Sequence, residues 1–173
     1  MKLKGEKTIL RPITLKDAPR FVKWLSDPEV NKYTTRKSIS LKEENKWIKS
    51  LSRLKKTEYH FAIDTIEGAH IGSEELFLDV MDKTARLGIM IGDKNYWDKG
   101  YGTDAVVILL IFAFNKLNLY KVYLSVFAYN MRAIKLYEKL GFTVEGVRRE
   151  DIFYEGKRYD LIEMGLLKSE WKK

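Results

Sequence analysis

The chain contains no cysteine, which excludes disulfides, thiol nucleophiles and thiolate-ligated zinc together. Histidine is nearly as scarce: His60 and His70 are the only two, and no His-x-x-x-His spacing exists. No metal site is expected. The longest apolar run, Ala105 to Phe114, is ten residues, far short of the ~20 that cross a membrane. The start, Met1 to Glu6, has no apolar core of signal-peptide length, so no leader is expected. There is no Gly-Lys-Ser/Thr, which removes a P-loop. Internal repeats and low-complexity linkers are also missing.

What is present reads as one domain over residues 1–173, large enough to bury a core, with 45% hydrophobic and 32% charged residues. The absence of cysteine fits a reducing cytoplasm. A net charge of +8 favours anionic partners: nucleic acid, a phosphorylated cofactor, or an acidic surface such as the ribosome. The densest basic stretch, Lys42 to Lys56, also carries Glu43 and Glu44 and reads as a solvated helix face.

Thr8 to Ile13 reads as a first strand, closed by Pro12. Thr14-Leu15-Lys16-Asp17 and Ser40-Leu41-Lys42-Glu43 are capping boxes. The first opens a helix over 15–25, with Phe21, Trp24 and Leu25 at helical spacing. The second opens a helix to about Lys56, with Trp47, Ile48, Leu51 and Leu54 on one face. Residues 27–39 between them read as a loop. Strands are expected at 59–64, 71–80 and 85–92, joined by turns too short for anything but antiparallel pairing. Ala105 to Asn115 is an apolar helix, 121–127 a strand, and 130–140 a helix closed by Gly141. Two strands, 143–154 and 158–167, follow. The expected fold is therefore α/β: a single mixed sheet of about seven strands with helices on both faces.

One stretch organises this order. Asp98-Lys99-Gly100-Tyr101-Gly102-Thr103 stands between a strand and a buried helix. Glycines there let successive backbone N–H groups face one concavity, and the helix adds its unpaired amides and positive dipole end. A phosphate-bearing cofactor is the chemistry that arrangement fits. Gly100-x-Gly102-x-x-Ala105 also matches the dinucleotide fingerprint, but the strands before it are antiparallel and no acid ends a strand about 20 residues on.

The chain resembles the GNAT superfamily of N-acetyltransferases, and within it the group holding ribosomal-protein N-terminal acetyltransferases and spermidine acetyltransferases. Four stretches carry the likeness: Leu10 to Thr14 with Asp17; Trp97 to Thr103; Asn130 to Phe142; and Tyr159-Asp160 through Glu170-Trp171. The resemblance implies a mostly antiparallel acyltransferase sheet and acetyl-CoA as co-substrate, lying between the strand that ends near Gly92 and the strand that ends near Ala128. The pantetheine arm would pair with backbone at Met90 and Ile91, and the pyrophosphate would sit on Lys99, Gly100, Tyr101, Gly102 and Thr103. Asn130 matches an asparagine that bonds the arm; a plain helix N-cap is its bland role, and both can hold. Tyr137 matches the tyrosine that protonates the departing thiolate, against the alternative of a core tyrosine. Trp97 stands where the family loop has Gln or Arg; the cradle, made of backbone amides, is expected to survive that change.

The resemblance also implies transfer of an acetyl group to a primary amine, by direct attack in a ternary complex. The acceptor is a protein N-terminus or a polyamine such as spermidine. Glu75 matches an acid of the spermidine enzymes and Asp160 recurs in the group, so both are candidate bases; Glu74, Asp79 and a water chain are alternatives. Ribosome association agrees with the positive charge, and a homodimer through the late strands stays open. Two other functions compete. A catalytically silent acetyl-CoA sensor would keep the fold without turnover. A basic nucleic-acid-binding module would have the charge, but the chain has no helix-turn-helix, zinc-finger or aromatic RNA-binding strand signature.

Overall fold

The computed structural model describes residues 1–34, 39–51 and 57–172. They fall into two compact units: Met1–Phe77 with Gly88–Ile108, and Leu78–Leu87 with Leu109–Lys173.

β1 (Leu3–Lys4), β2 (Thr8–Pro12), β3 (Glu58–Thr65), β4 (His70–Asp79) and β5 (Thr84–Ile91) hydrogen-bond in that order, and all but the end of β4 and the start of β5 belong to the first unit. The pairs β1–β2, β2–β3 and β3–β4 are antiparallel. β1 is a correction to the expected count, because it brings the strands to eight. It is two residues long, held by Leu3 opposite Leu10 and Lys4 opposite Ile9. No alternation can be read from two residues.

Thr14-x-x-Asp17 caps as expected: the Asp17 carboxylate accepts from the Thr14 N–H at 2.7 Å. The turn it opens is 3₁₀ over Leu15–Asp17, and the α-helix proper, α1, spans Ala18–Ser26. The expected loop after it holds a short helix, α2 (Pro28–Asn31). Asp27-Pro28 ends α1 and also starts α2, since Asp27 caps Glu29 N–H and Pro28 supplies a preset φ at the first helical position. α3 is described over Leu41–Leu51. Its expected continuation through Leu54 to Lys56 lies outside the described residues, as do Thr35 to Ser38 of the expected loop. Ser40 and Glu43 cap α3 reciprocally, at 2.8 and 3.3 Å.

Ala18, Phe21, Trp24, Val30 and Ile48 form one buried cluster of this unit, with Trp47, Met90 and Trp97 packed against it. Each such large apolar side chain contributes about 1.5–3 kcal/mol. α4 begins at Tyr101 and runs to Ile111, so Gly102, Thr103 and Asp104 lie in its first turn rather than in a loop. Past Ile111 the chain continues as one π-helical turn, Phe112–Lys116, closed by Leu117 N–H onto the Phe112 carbonyl. An all-apolar run gives no periodicity from which either limit could be read.

In the second unit the order is β5, β6 (Lys121–Phe127), β8 (Lys157–Leu167), β7 (Thr143–Tyr154). β5 and β6 are parallel, and their ladder is confined to Thr84–Arg86 against Lys121–Tyr123. β6–β8 and β7–β8 are antiparallel. α5 (Met131–Lys139) buries Ile134 and Tyr137. Among the described residues no helix is long and apolar enough to cross a membrane.

Candidate active site

In the first unit the chain leaves β5, makes a 3₁₀ turn over Lys94–Tyr96, and reaches α4 through Trp97 to Gly100. Asp98 and Gly100 are both in the left-handed region, with φ of 57° and 84°. Gly100 takes that conformation without strain, and it turns the chain so that the Asp104 N–H closes onto the Gly100 carbonyl at 3.0 Å. The amides ahead of Asp104 belong to the first helical turn and have no partner within the helix. The positive dipole end of α4 therefore stands at Tyr101, directly after Gly100.

Sequence reasoning missed what holds this loop. The Asp104 carboxylate accepts from the N–H groups of Glu6, Lys7 and Thr8, at 3.1, 3.0 and 2.8 Å, and from the Thr8 hydroxyl at 2.7 Å. It bolts the start of α4 to the start of β2. Lys7 Nζ donates to the Lys99 carbonyl at 2.9 Å. Lys94 anchors the preceding turn, bridging Asp27 and Glu29 at 2.8 Å each. Trp97 turns inward: its indole N–H donates to the Ile91 carbonyl at 2.7 Å, and its ring stands edge-on to Tyr33. The residue that departs from the family pattern thus ties the loop to the end of β5.

Glu75 of β4 lies opposite His60 of β3, on one face. His60 Nε2 is 3.1 Å from Glu58 Oε2, and its Nδ1 is 3.6 Å from Glu75 Oε2. Burial alone would pull the His60 pKa down, but Glu75 and Glu58 outweigh it and hold the imidazole above its ordinary value. Glu74, the next residue, is fully buried, with neither carboxylate oxygen hydrogen-bonded among the described residues. That burial pushes its pKa well up, because it disfavours the charged form.

The second unit carries the other expected residues. Asn130 caps α5, its Oδ1 accepting from Ala133 N–H at 3.3 Å. Tyr137, two turns on, is buried with its ring 5.6 Å from Phe142. Asp160 is engaged elsewhere: its Oδ1 accepts from Glu150 N–H at 2.8 Å, inside the bulge where β7 slips register against β8. Asp79 caps its turn through Met81 and Asp82 N–H, at 3.0 and 3.1 Å. Among the described residues no group of three or more histidine, aspartate or glutamate side chains is placed to hold a metal ion.

The acetyltransferase (GNAT) domain matches residues 7–143, and the chain belongs to that family. It is an acetyl-CoA-dependent N-acetyltransferase. An uncharacterized N-acetyltransferase p20 of Bacillus licheniformis is 31% identical over 172 residues, covering 96% of each chain. A putative ribosomal N-acetyltransferase of Bacillus subtilis, YdaF, is 33% identical over 95 residues, 55% of this chain and 51% of that one. The crystal structure of spermidine N-acetyltransferase from Vibrio cholerae, in complex with CoA and spermine, superposes with a TM-score of 0.85 at 26% identity, covering 94% of this chain and 96% of that one.

Proposed function

We propose that this protein transfers the acetyl group of acetyl-CoA to a primary amine of a polyamine such as spermidine, by direct attack in a ternary complex. The observation that carries the cofactor half is the loop from Asp98 to Thr103, with left-handed Asp98 and Gly100 leading into α4. Pyrophosphate oxygens accept from the amides of Lys99 to Thr103. The pantetheine arm pairs with backbone at Met90 and Ile91, past the end of the short parallel ladder. Asn130 keeps its side-chain N–H groups for that arm while its oxygen caps α5. Tyr137 gives its proton to the thiolate. Glu75, half-exposed beside His60, is favoured as base over Asp160, whose oxygen is already committed to Glu150. The whole chain works as one domain, since the family match draws on residues of both units, and the lack of cysteine suits a cytoplasmic setting.

The polyamine assignment rests on the likeness to the Vibrio cholerae enzyme. A protein N-terminus is the second reading, favoured by the net charge of +8 and the likeness to YdaF. Thiol release from acetyl-CoA separates them. The panel is spermidine, spermine, and peptides beginning with alanine, serine or methionine. Release with the polyamines alone is expected. Release with peptides alone moves the assignment to N-terminal acetylation. Stabilisation by acetyl-CoA without release from any amine would mean a sensor. The loop itself is tested at Lys7: Lys7→Met is expected to raise KM for acetyl-CoA about threefold to tenfold, the worth of one polar contact, with kcat unchanged. An unchanged KM would show that Lys7 does not shape the cradle.

A further inference from the structure

The reading above makes Glu75 the base but leaves the proton's onward path open, and the inference here rests on that reading. Glu75 does not stand alone. Its carboxylate and that of Glu58 flank the His60 imidazole, which is only 8% exposed while the two acids are 36% and 34% exposed. The Trp47 ring of α3 and the Phe77 ring of β4 stand edge-on to the imidazole, 5.7 and 5.3 Å away. They close it off from an incoming amine but leave it beside Glu75. On β5, Gly88 makes the room: a Cβ there would come within 2.7 Å of Glu75 Oε1. Gly88 is two residues from Met90, so the Glu75 carboxylate lies alongside the strand segment assigned to the pantetheine arm.

We propose that Glu75 takes the proton from the acceptor's ammonium group, and that the buried His60, held by Glu58, is the positioning residue that draws this proton onward. The ammonium gives one proton to Glu75 Oε2 and becomes a free amine. Neutral His60 donates its Nε2–H to Glu58 and receives that proton from Glu75 at Nδ1. The resulting imidazolium sits between two carboxylates. The amine lone pair then forms the C–N bond to the thioester carbon and the C–S bond breaks. The thiolate takes a proton from Tyr137, and the proton lost by the acetylated nitrogen restores the tyrosine. His60 finally releases its proton to solvent.

The charged groups acting on His60 are Glu58 on its own strand and Glu75 on β4. The other side chains against it are Trp47 of α3, with buried Glu44 one turn earlier on that helix, and Phe77 of β4. Both acids favour imidazolium, which cannot accept a second proton. Activity therefore rises with pH as His60 loses its proton, and falls at acid pH.

The test is the pH profile of kcat/KM with the amine the wild type turns over, for the wild type, Glu75→Gln, His60→Gln and Glu58→Gln. Glu75→Gln is expected to lose about 10²-fold in kcat or more, with KM for acetyl-CoA unchanged. His60→Gln is expected to lose less, and to lose or displace the acid limb. Glu58→Gln should move that limb to lower pH, because one of the acids that favours imidazolium is gone; it also replaces His60→Gln as the test if that variant does not fold. An acid limb that superimposes on the wild type in both the His60 and Glu58 variants overturns the role of His60. Full activity in Glu75→Gln overturns the proton path while leaving amine acetylation standing. A wild type that releases thiol with no amine overturns the proposed function itself, and this inference with it.

Discussion

Tyr137→Phe is expected to lower kcat about 10²-fold or more while leaving the affinity for acetyl-CoA within about twofold. In the proposed mechanism the phenol is needed only as the C–S bond breaks, so its loss is expected to fall on the chemical step. The substitution is otherwise gentle. The ring is buried at 6% exposure on α5, against Phe142, and phenylalanine fills the same volume. Steady-state kinetics with saturating amine, together with a binding titration of acetyl-CoA, measures both quantities. A kcat within threefold of wild type would remove Tyr137 from the mechanism. Weakened cofactor binding at unchanged kcat would make it a residue that shapes the pocket.

Arg11→Met is expected to cost about 3–5 kcal/mol of stability, the penalty for leaving buried charges without their partner. Arg11 reaches both oxygens of Asp17, at 2.7 and 2.8 Å, and Asp64 at 2.6 Å. Asp17 is 4% exposed. Burial pushes its carboxyl up, but hydrogen bonds from Arg11 and the Thr14 N–H, with the nearby charges, outweigh that and lower its pKa to about 2. His70 Nδ1 lies 3.3 Å from the same carboxylate; there burial prevails and the imidazole pKa falls below its ordinary value. A depressed carboxyl stabilises the fold above its unfolded pKa of about 3.9, and that stability is lost as pH falls from about 4 through about 2. Chemical denaturation at pH 7 measures the first effect; a series between pH 5 and 2 measures the second. The Arg11 variant should show a flatter acid dependence than the wild type. A loss below about 1 kcal/mol would mean that the cluster is solvated and adds little.

The two histidines show why their roles could not be read from the chain. Each is a lone imidazole in a strand-forming stretch. His60 meets two half-exposed acids that outweigh its burial, and its pKa rises; at His70 burial prevails over the pull of Asp17, with Arg11 adding to it, and the pKa falls. What decides is how strands and helices distant in sequence bring neighbours to each ring. The same holds for Glu74 and Glu75, successive acids on β4. The strand pleat sends one into the apolar interior and the other toward His60.

By itself the sequence determined the local structure whose hydrogen bonds span a few residues. Thr14 with Asp17, Ser40 with Glu43 and Asn130 with Ala133 close within three positions, so residue type and spacing were enough. Both bounds of β6 and of β7 were legible as well. So was the turn at Gly100, because few residues tolerate a positive φ. Tertiary structure alone decided the rest. Asp104 finds its donors 96 to 98 residues away, and Arg11 finds Asp64 at a separation of 53. Such pairs exist only once the chain has folded, since nothing in the local pattern of either partner records the other. The turn at Gly100 was written locally; what fixes that turn in place, and what surrounds Glu75, came from contacts across the fold.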